Sequence, residues 1–219
     1  MGQYVHPDFT RCAVITIDTQ NDFSLPGAVA EIKGTYEVLP QMKKLLYLCR
    51  TMGIPIIHVI RLYKDDGSNA DICRRALIEA GTAIVRPDSF GADLVEDIKP
   101  LKTIRFNHHS LLEGNIESIG HQEWIMYKPR WGAFYQTPLE EFLQEHDLDT
   151  LIFIGCNFPN CPRTSMYEAS ERDFKIAMVQ DAMSGVYPKG LEEIRNIGAA
   201  VYTTDEIIQE LKGVRRPLM

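Results

Sequence analysis

Residues 150–164, TLIFIGCNFPNCPRT, constrain the fold more than any other stretch of the chain. Leu151, Ile152, Phe153 and Ile154 form a short, branched apolar run, the pattern of a buried strand. Gly155 breaks the run, and residues 156–160 are too short and turn-rich for anything but a tight loop. Pro162 follows Cys161, and proline suits the first position of a helix, where its missing N–H costs nothing. Cys161 is therefore expected at a strand-to-helix corner, close to the N-cap. Free backbone N–H groups and the positive end of the helix dipole favour a thiolate there, the reactive form of cysteine. Cys156 directly follows the strand and reads as a small, packed, inert residue. A disulfide between the two cysteines, or half of a metal site, stays open as an alternative, although no second pair lies nearby at ligand spacing.

The rest of the chain repeats the strand-then-helix pattern. Residues 12–17 read as a buried strand ending at Asp18-Thr19-Gln20-Asn21-Asp22-Phe23, a polar cluster. Apolar residues at helical spacing follow over 38–52, with Gly53 as the stop. Residues 55–60 are the next strand; His58 lies inside it and reads as a core histidine. Arg61, Tyr63 and Lys64 come at its end. Residues 64–122 are the least regular part: 71–79 form a helix, His108 and His109 take surface or loop roles, and the segment suits a lid or a subunit contact. Residues 123–127 read as a strand with Lys128 at its end. Thr137 and Glu140 match a capping box. Beyond Cys161, a helix over 164–173 turns Met166, Tyr167 and Ala169 inward. A strand at 174–180, a helix at 191–200, a short strand at 201–203 and a helix at 204–212 capped by Thr204 complete the pattern, with a loose tail at 213–219.

Such alternation predicts an α/β fold of three layers, α-β-α, around a mainly parallel sheet. No repeat and no Gly-, Ser- or Pro-rich linker interrupts it, so residues 1–219 are expected to form one domain. Active sites of open parallel sheets lie beyond the carboxyl ends of the strands. Asp18, Lys128 and Cys161 each stand at or just past such an end.

A net charge of −7 over 219 residues argues against nucleic-acid binding. No apolar run reaches membrane-spanning length. The opening MGQYVHPDFTR lacks a basic region followed by an apolar stretch, so no secretory signal is expected. The cysteines at 12, 49, 73, 156 and 161 are odd in number and scattered, which suits a reducing compartment and hence the cytoplasm.

Three motifs in order now carry a resemblance: Ile17-Asp18-Thr19-Gln20-Asn21-Asp22-Phe23, then Tyr127-Lys128-Pro129-Arg130-Trp131-Gly132-Ala133-Phe134, then residues 155–161. Together with Ala169-Ser170-Glu171-Arg172-Asp173 and Asp181-Ala182, they make the chain resemble the isochorismatase-like cysteine hydrolases over nearly its whole length. The resemblance implies a catalytic triad of Asp18, Lys128 and Cys161, and a cis peptide at Cys156–Asn157. It also implies an oxyanion hole from the N–H groups of Asn157 and Cys161. It implies a metal-independent hydrolase, with no cofactor, that cleaves a C–N bond of a small amide, ureide or carbamoyl compound through a thioester. Oligomeric relatives imply a homo-oligomer. The nicotinamidase branch carries an Asp-x-His metal site after its second strand; here the positions read Arg61-Leu62-Tyr63-Lys64, so no catalytic metal is expected. Arg61, Trp131 and Phe158 are expected to shape the substrate pocket. Two alternatives remain: vinyl-ether hydrolysis of an isochorismate-like substrate, and a thiol redox or sensor role for Cys156 and Cys161.

Overall fold

The computed structural model describes residues 2–214. Seven strands form one sheet: β1 (Cys12–Ile17), β2 (Ile56–Ile60), β3 (Ile116–Gly120), β4 (Glu123–Tyr127), β5 (Thr150–Gly155), β6 (Lys175–Met183) and β7 (Ala200–Tyr202). Their order is β3-β4-β2-β1-β5-β6-β7. Every pairing is parallel except β3 with β4. Residues of β1, β2 and β5 are all buried, which is why these strands read as continuous apolar runs rather than alternating ones.

Among the described residues eight α-helices accompany the strands: α1 (Asn21–Ser24), α2 (Thr35–Met52), α3 (Ile72–Glu79), α4 (His108–Leu112), α5 (Leu139–Glu145), α6 (Cys161–Ser170), α7 (Pro188–Asn196) and α8 (Thr204–Gly213). They divide between the two faces of the sheet. Val14, Ile56, Ile60, Ile152 and Ile154 pack with Leu39, Met42 and Leu46 of α2 and Ile207 and Leu211 of α8. Ala13, Ile15, Ile17, Ile57, Leu151 and Phe153 pack with Leu143 of α5, Met166 of α6 and Ile194 of α7. Successive strand residues feed opposite cores, as the period of two requires. The result is the expected three-layer α-β-α architecture.

The chain leaves β1 for β2 on one side and later returns as β5 on the other. That reversal makes the β1 edge a topological switch point, where such sheets open a crevice. Register then aligns the strand ends. Asp18 N–H donates to Val59, Lys128 N–H to Ile60 and Cys156 N–H to Ile17, at 2.9, 3.0 and 2.9 Å. Four neighbouring strands, β4, β2, β1 and β5, therefore deliver Lys128, Arg61, Asp18 and Cys156 to one edge.

Several local expectations are corrected. Strand β3 was not foreseen: only one of its five residues is buried, and an edge strand of this kind carries little apolar signal. Helix α2 starts earlier than 38, at Thr35, and holds Pro40 inside it. The capping box at Thr137 does not form, because the Thr137 hydroxyl donates to Ala133 and Pro138 is the N-cap of α5. A capping box does form one residue before the expected cap of α8: Thr203 and Glu206 satisfy each other's backbone N–H groups. Helix α6 begins at Cys161 with Asn160 as N-cap, one residue before Pro162, and ends at Ser170. Helix α7 lies earlier than expected, from Pro188, which takes the initiating role that proline favours. The tail beyond residue 214 lies outside the described residues.

His58 sits in the core as expected. It is fully buried, with Nδ1 2.8 Å from the Thr16 hydroxyl and Nε2 2.7 Å from Glu123 Oε1. Arg50 adds two hydrogen bonds to the same carboxylate, at 2.8 and 2.7 Å. Burial opposes ionisation of Glu123, but the bonds from Arg50 and His58 prevail and hold its pKa down at about 2. A depressed carboxyl pKa contributes stability above the unfolded value of about 4.3 and loses it as pH falls towards 2. The gain at neutral pH is on the order of 3 kcal/mol. Glu123→Gln is therefore expected to lower the unfolding free energy at pH 7 and to flatten the stability curve between pH 4.5 and 2. Urea titrations across that range check this; parallel curves for the two proteins would contradict it.

Candidate active site

The edge of the sheet opens into a cleft of about 370 Å³, including its mouth, lined by Asp18, Arg61, Trp131, Asn157 and Cys161 among others. Its floor is an ion pair. Lys128 is completely buried, and its Nζ lies 2.9 Å from Asp18 Oδ2. Nζ also donates to the Arg130 carbonyl at 3.1 Å. Burial penalises the ammonium, but Asp18 and Cys161 outweigh it and raise the Lys128 pKa above its ordinary value. Asp18 is 4% exposed, and its second oxygen, Oδ1, receives no hydrogen bond from another group of the protein at oxygen–nitrogen distances. Its backbone takes a left-handed conformation, φ 49°, which turns the chain out of β1 directly at this residue. Aspartate tolerates that region better than most side chains.

Cys161 is the first residue of α6 and is half-buried in the cleft. Its thiol interacts with both Asp18 and Lys128, so the three residues expected to act together do meet. The expected resting thiolate is corrected. Burial, and then the Asp18 carboxylate, push the Cys161 thiol up to about 12, while Lys128 pulls less strongly the other way. A thiolate added to the ion pair would leave a net negative charge in a poorly solvated site. Both effects favour the neutral thiol over the thiolate at rest.

The Cys156–Asn157 peptide is cis, as the sequence led us to expect. Asn157 N–H donates to no backbone carbonyl, whereas its neighbour Phe158 N–H is taken by Ser184 at 2.8 Å. Cys161, at the start of α6, precedes the first intrahelical donor. Gly155 is required here: its φ is 124°, and a Cβ would stand 2.3 Å from the Ile17 carbonyl oxygen.

Other expected residues divide. Cys156 is 1% exposed, held by Thr35 and Ser184, and burial raises its pKa to about 12. That fits a packed, unreactive residue. Both cysteines are free thiols. Trp131 and Arg61 line the cleft, but Phe158 does not. Phe158 is fully buried and packs edge-on against the Tyr187 ring at 5.6 Å, above Gly190. The expected substrate contact is therefore replaced by a packing role. Arg61 is 3% exposed and committed: Nη2 donates to Asp71 Oδ2 and Nη1 to the Lys128 carbonyl, both at 2.8 Å.

His108 is also corrected. Burial takes it off the surface, its Nδ1 accepts the Asp88 N–H at 2.8 Å, and it lies outside the cleft; His109 is exposed. The cleft further includes Phe23, Tyr63, Asp71 and Arg74, none of them expected as site residues. Asp71 carried a weak signal, as the residue before an amphipathic helix; nothing local linked it to Arg61. Among the described residues, no group of three or more His, Cys, Asp or Glu side chains could hold a metal ion, and no helix is long and apolar enough to cross a membrane.

Comparison with known proteins agrees with this geometry. The isochorismatase domain model matches residues 12–114 and 115–206. A probable inactive nicotinamidase of Arabidopsis thaliana is 28% identical, covering 91% of this chain and 95% of that protein. The N-carbamoylsarcosine amidase of an Arthrobacter species is 25% identical, covering 93% and 72% respectively. Among solved structures, an isochorismatase family protein from Desulfovibrio vulgaris superposes with a TM-score of 0.78 at 28% identity, covering 92% of this chain and 98% of that one. With the domain model spanning β1 to α8 and the same fold recurring in such relatives, the chain belongs to the isochorismatase family of hydrolases.

Proposed function

We propose that this protein is a metal-independent cysteine hydrolase that cleaves a C–N bond of a small amide, ureide or carbamoyl compound. The observation that carries this reading is the contact of the Cys161 thiol with the buried Asp18–Lys128 ion pair. The amidase activity named for the Arthrobacter relative supports the substrate class.

The geometry supports the following sequence. Asp18 Oδ1 takes the thiol proton as Cys161 Sγ attacks the substrate carbonyl carbon. Proton transfer within the triad leaves its total charge unchanged: the negative charge moves from carboxylate to sulfur while Lys128 stays protonated beside both. No new net charge is buried, which answers the high resting pKa of the thiol. The carbonyl π electrons become an oxyanion, which the N–H groups of Asn157 and Cys161 stabilise. The tetrahedral species collapses, the C–N bond breaks, and protonated Asp18 gives its proton to the leaving nitrogen. Water then adds to the thioester, losing a proton to Asp18. The second collapse releases the acid, and Asp18 returns the proton to sulfur. Trp131 walls the cleft, and Arg61 orders it by tying Asp71 to the Lys128 carbonyl. The scattered free thiols support a reducing compartment, in line with a cytoplasmic enzyme.

Turnover of a pool of small amides, ureides and carbamoyl compounds is expected to fall by at least about 10³ in Cys161→Ala. Cys156→Ala is expected to keep most of it. An active Cys161→Ala enzyme would sink the reading. The neutral resting thiol gives a second test. In a Cys73→Ser background, which removes the exposed thiol, the ultraviolet thiolate absorbance is expected to stay flat between about pH 6 and 8. A step in that range that disappears in Cys161→Ala would mean a stable thiolate and no need for Asp18 as base.

A further inference from the structure

Helix α6 carries Cys161 as its first residue, and two of its later side chains reach the loop at residues 130–134. That loop follows β4 and holds Trp131, which lines the cleft. Near its start, the Arg130 carbonyl accepts from Lys128 Nζ at 3.1 Å. Near its end, side chains of α6 take the backbone donors of two buried residues. Ala133 N–H donates to Ser165 Oγ at 3.1 Å, and Phe134 N–H to Glu168 Oε2 at 2.8 Å.

Ser165 is fully buried, and its hydroxyl also donates to the Cys161 carbonyl at 2.7 Å. Its one proton goes to the nucleophile's own backbone, and a lone pair goes to the loop. Back-bonding of this kind gives a helix no stability by itself; here it aims the hydroxyl oxygen at Ala133. Glu168 reaches the loop through room left by Gly132. A Cβ at that position would stand 2.1 Å from the Glu168 carboxyl carbon and from Oε2.

These bonds close a circuit. It runs from Lys128 Nζ through the Arg130 carbonyl and the loop to Ala133 N–H, then through Ser165 Oγ to Cys161. The Cys161 thiol completes it by interacting with Lys128. An ammonium has three donors; Asp18 and the Arg130 carbonyl engage Lys128 on two sides and so fix how it faces the thiol.

We propose that Ser165 and Glu168 are positioning residues for the reaction. By docking residues 130–134 on α6 they hold the Arg130 carbonyl where it orients the Lys128 ammonium, and they hold Trp131 as a wall of the cleft. This rests on the catalytic reading above for what the ammonium does, but docking of the loop can be measured without turnover.

The test uses a Trp124→Phe parent, in which Trp131 is the one remaining tryptophan. Acrylamide quenching of Trp131 fluorescence is expected to rise about twofold in Ser165→Ala, Glu168→Ala and Gly132→Ala, each of which leaves a loop N–H without its partner. Ser165→Ala and Gly132→Ala each change a single heavy atom, so the fold is kept. Glu168→Gln retains an acceptor for Phe134 N–H and is expected to quench like the parent. On the most rapidly cleaved member of the pool of small amides, ureides and carbamoyl compounds, kcat is expected to fall about tenfold in Ser165→Ala, with KM changed less than about threefold. Gly132→Ala expels the Glu168 carboxylate rather than removing it, so the Gly132→Ala/Glu168→Ala double variant is expected to lose no more kcat than either single one. Unchanged quenching in Ser165→Ala or Gly132→Ala, equal losses in Glu168→Gln and Glu168→Ala, additive losses in the double variant, or an effect confined to KM overturns the proposal. No turnover by the parent, or turnover that survives Cys161→Ala, overturns the catalytic reading instead; quenching then judges the docking of the loop by itself.

Discussion

The buried ion pair between Lys128 and Asp18 is the constraint on which the site depends. A lysine with no solvent exposure is tolerable only with its charge matched and its donors used. Here the carboxylate lies at 2.9 Å and a backbone carbonyl at 3.1 Å. The two residues come from the ends of β4 and β1, with β2 between them. Their distance is therefore fixed by the sheet register, not by a flexible loop. Removing either partner would strand the other's charge in the core.

The same pair explains why the thiol can afford to rest protonated. A cysteine ionised in advance would have to be stabilised permanently in a site that already holds a carboxylate. A thiol that passes its proton to that carboxylate during attack needs stabilisation only when the bond forms. In the proposed mechanism the helix start of α6 and the loop at Asn157 act on the oxyanion, where charge develops, rather than on the resting sulfur. Arg61 and Asp71 form a second buried pair beside the first. Its position next to the Lys128 carbonyl joins the first pair to the wall of the cleft where α3 begins.

Much of this was legible in the chain. Strands β1, β2, β4 and β5 are short apolar runs bounded by Gly or polar clusters, and β1 and β4 were read with their observed bounds. Because parallel strands converge at their carboxyl ends, reading those strands also brought Asp18, Lys128 and Cys161 to one edge. The failures have physical causes. Residues 64–122 lack periodicity because they run through turns and short helices, and β3 is a mostly half-buried edge strand with little apolar signal. Phe158 looked like a pocket residue by its place in the loop, but its ring packs on Tyr187 over Gly190, far along the chain, and no local signal links them. The pairing of Arg61 with Asp71 spans a turn and a helix start, and neither residue alone announces the other. The thiol's charge state depends on burial and on two residues distant in the chain, so the local helix-dipole argument could not decide it alone.

Intact-mass spectrometry of wild type and Asp18→Asn, quenched within milliseconds of mixing with a pool of small amides, ureides and carbamoyl compounds, tests the central claim most directly. The account predicts an acyl adduct on Cys161 in the wild type, with the mass of the substrate less its leaving amine, and no such adduct in Asp18→Asn. Turnover without any adduct, or an adduct of equal yield in both proteins, would contradict the transfer of the thiol proton to Asp18 on which the account rests.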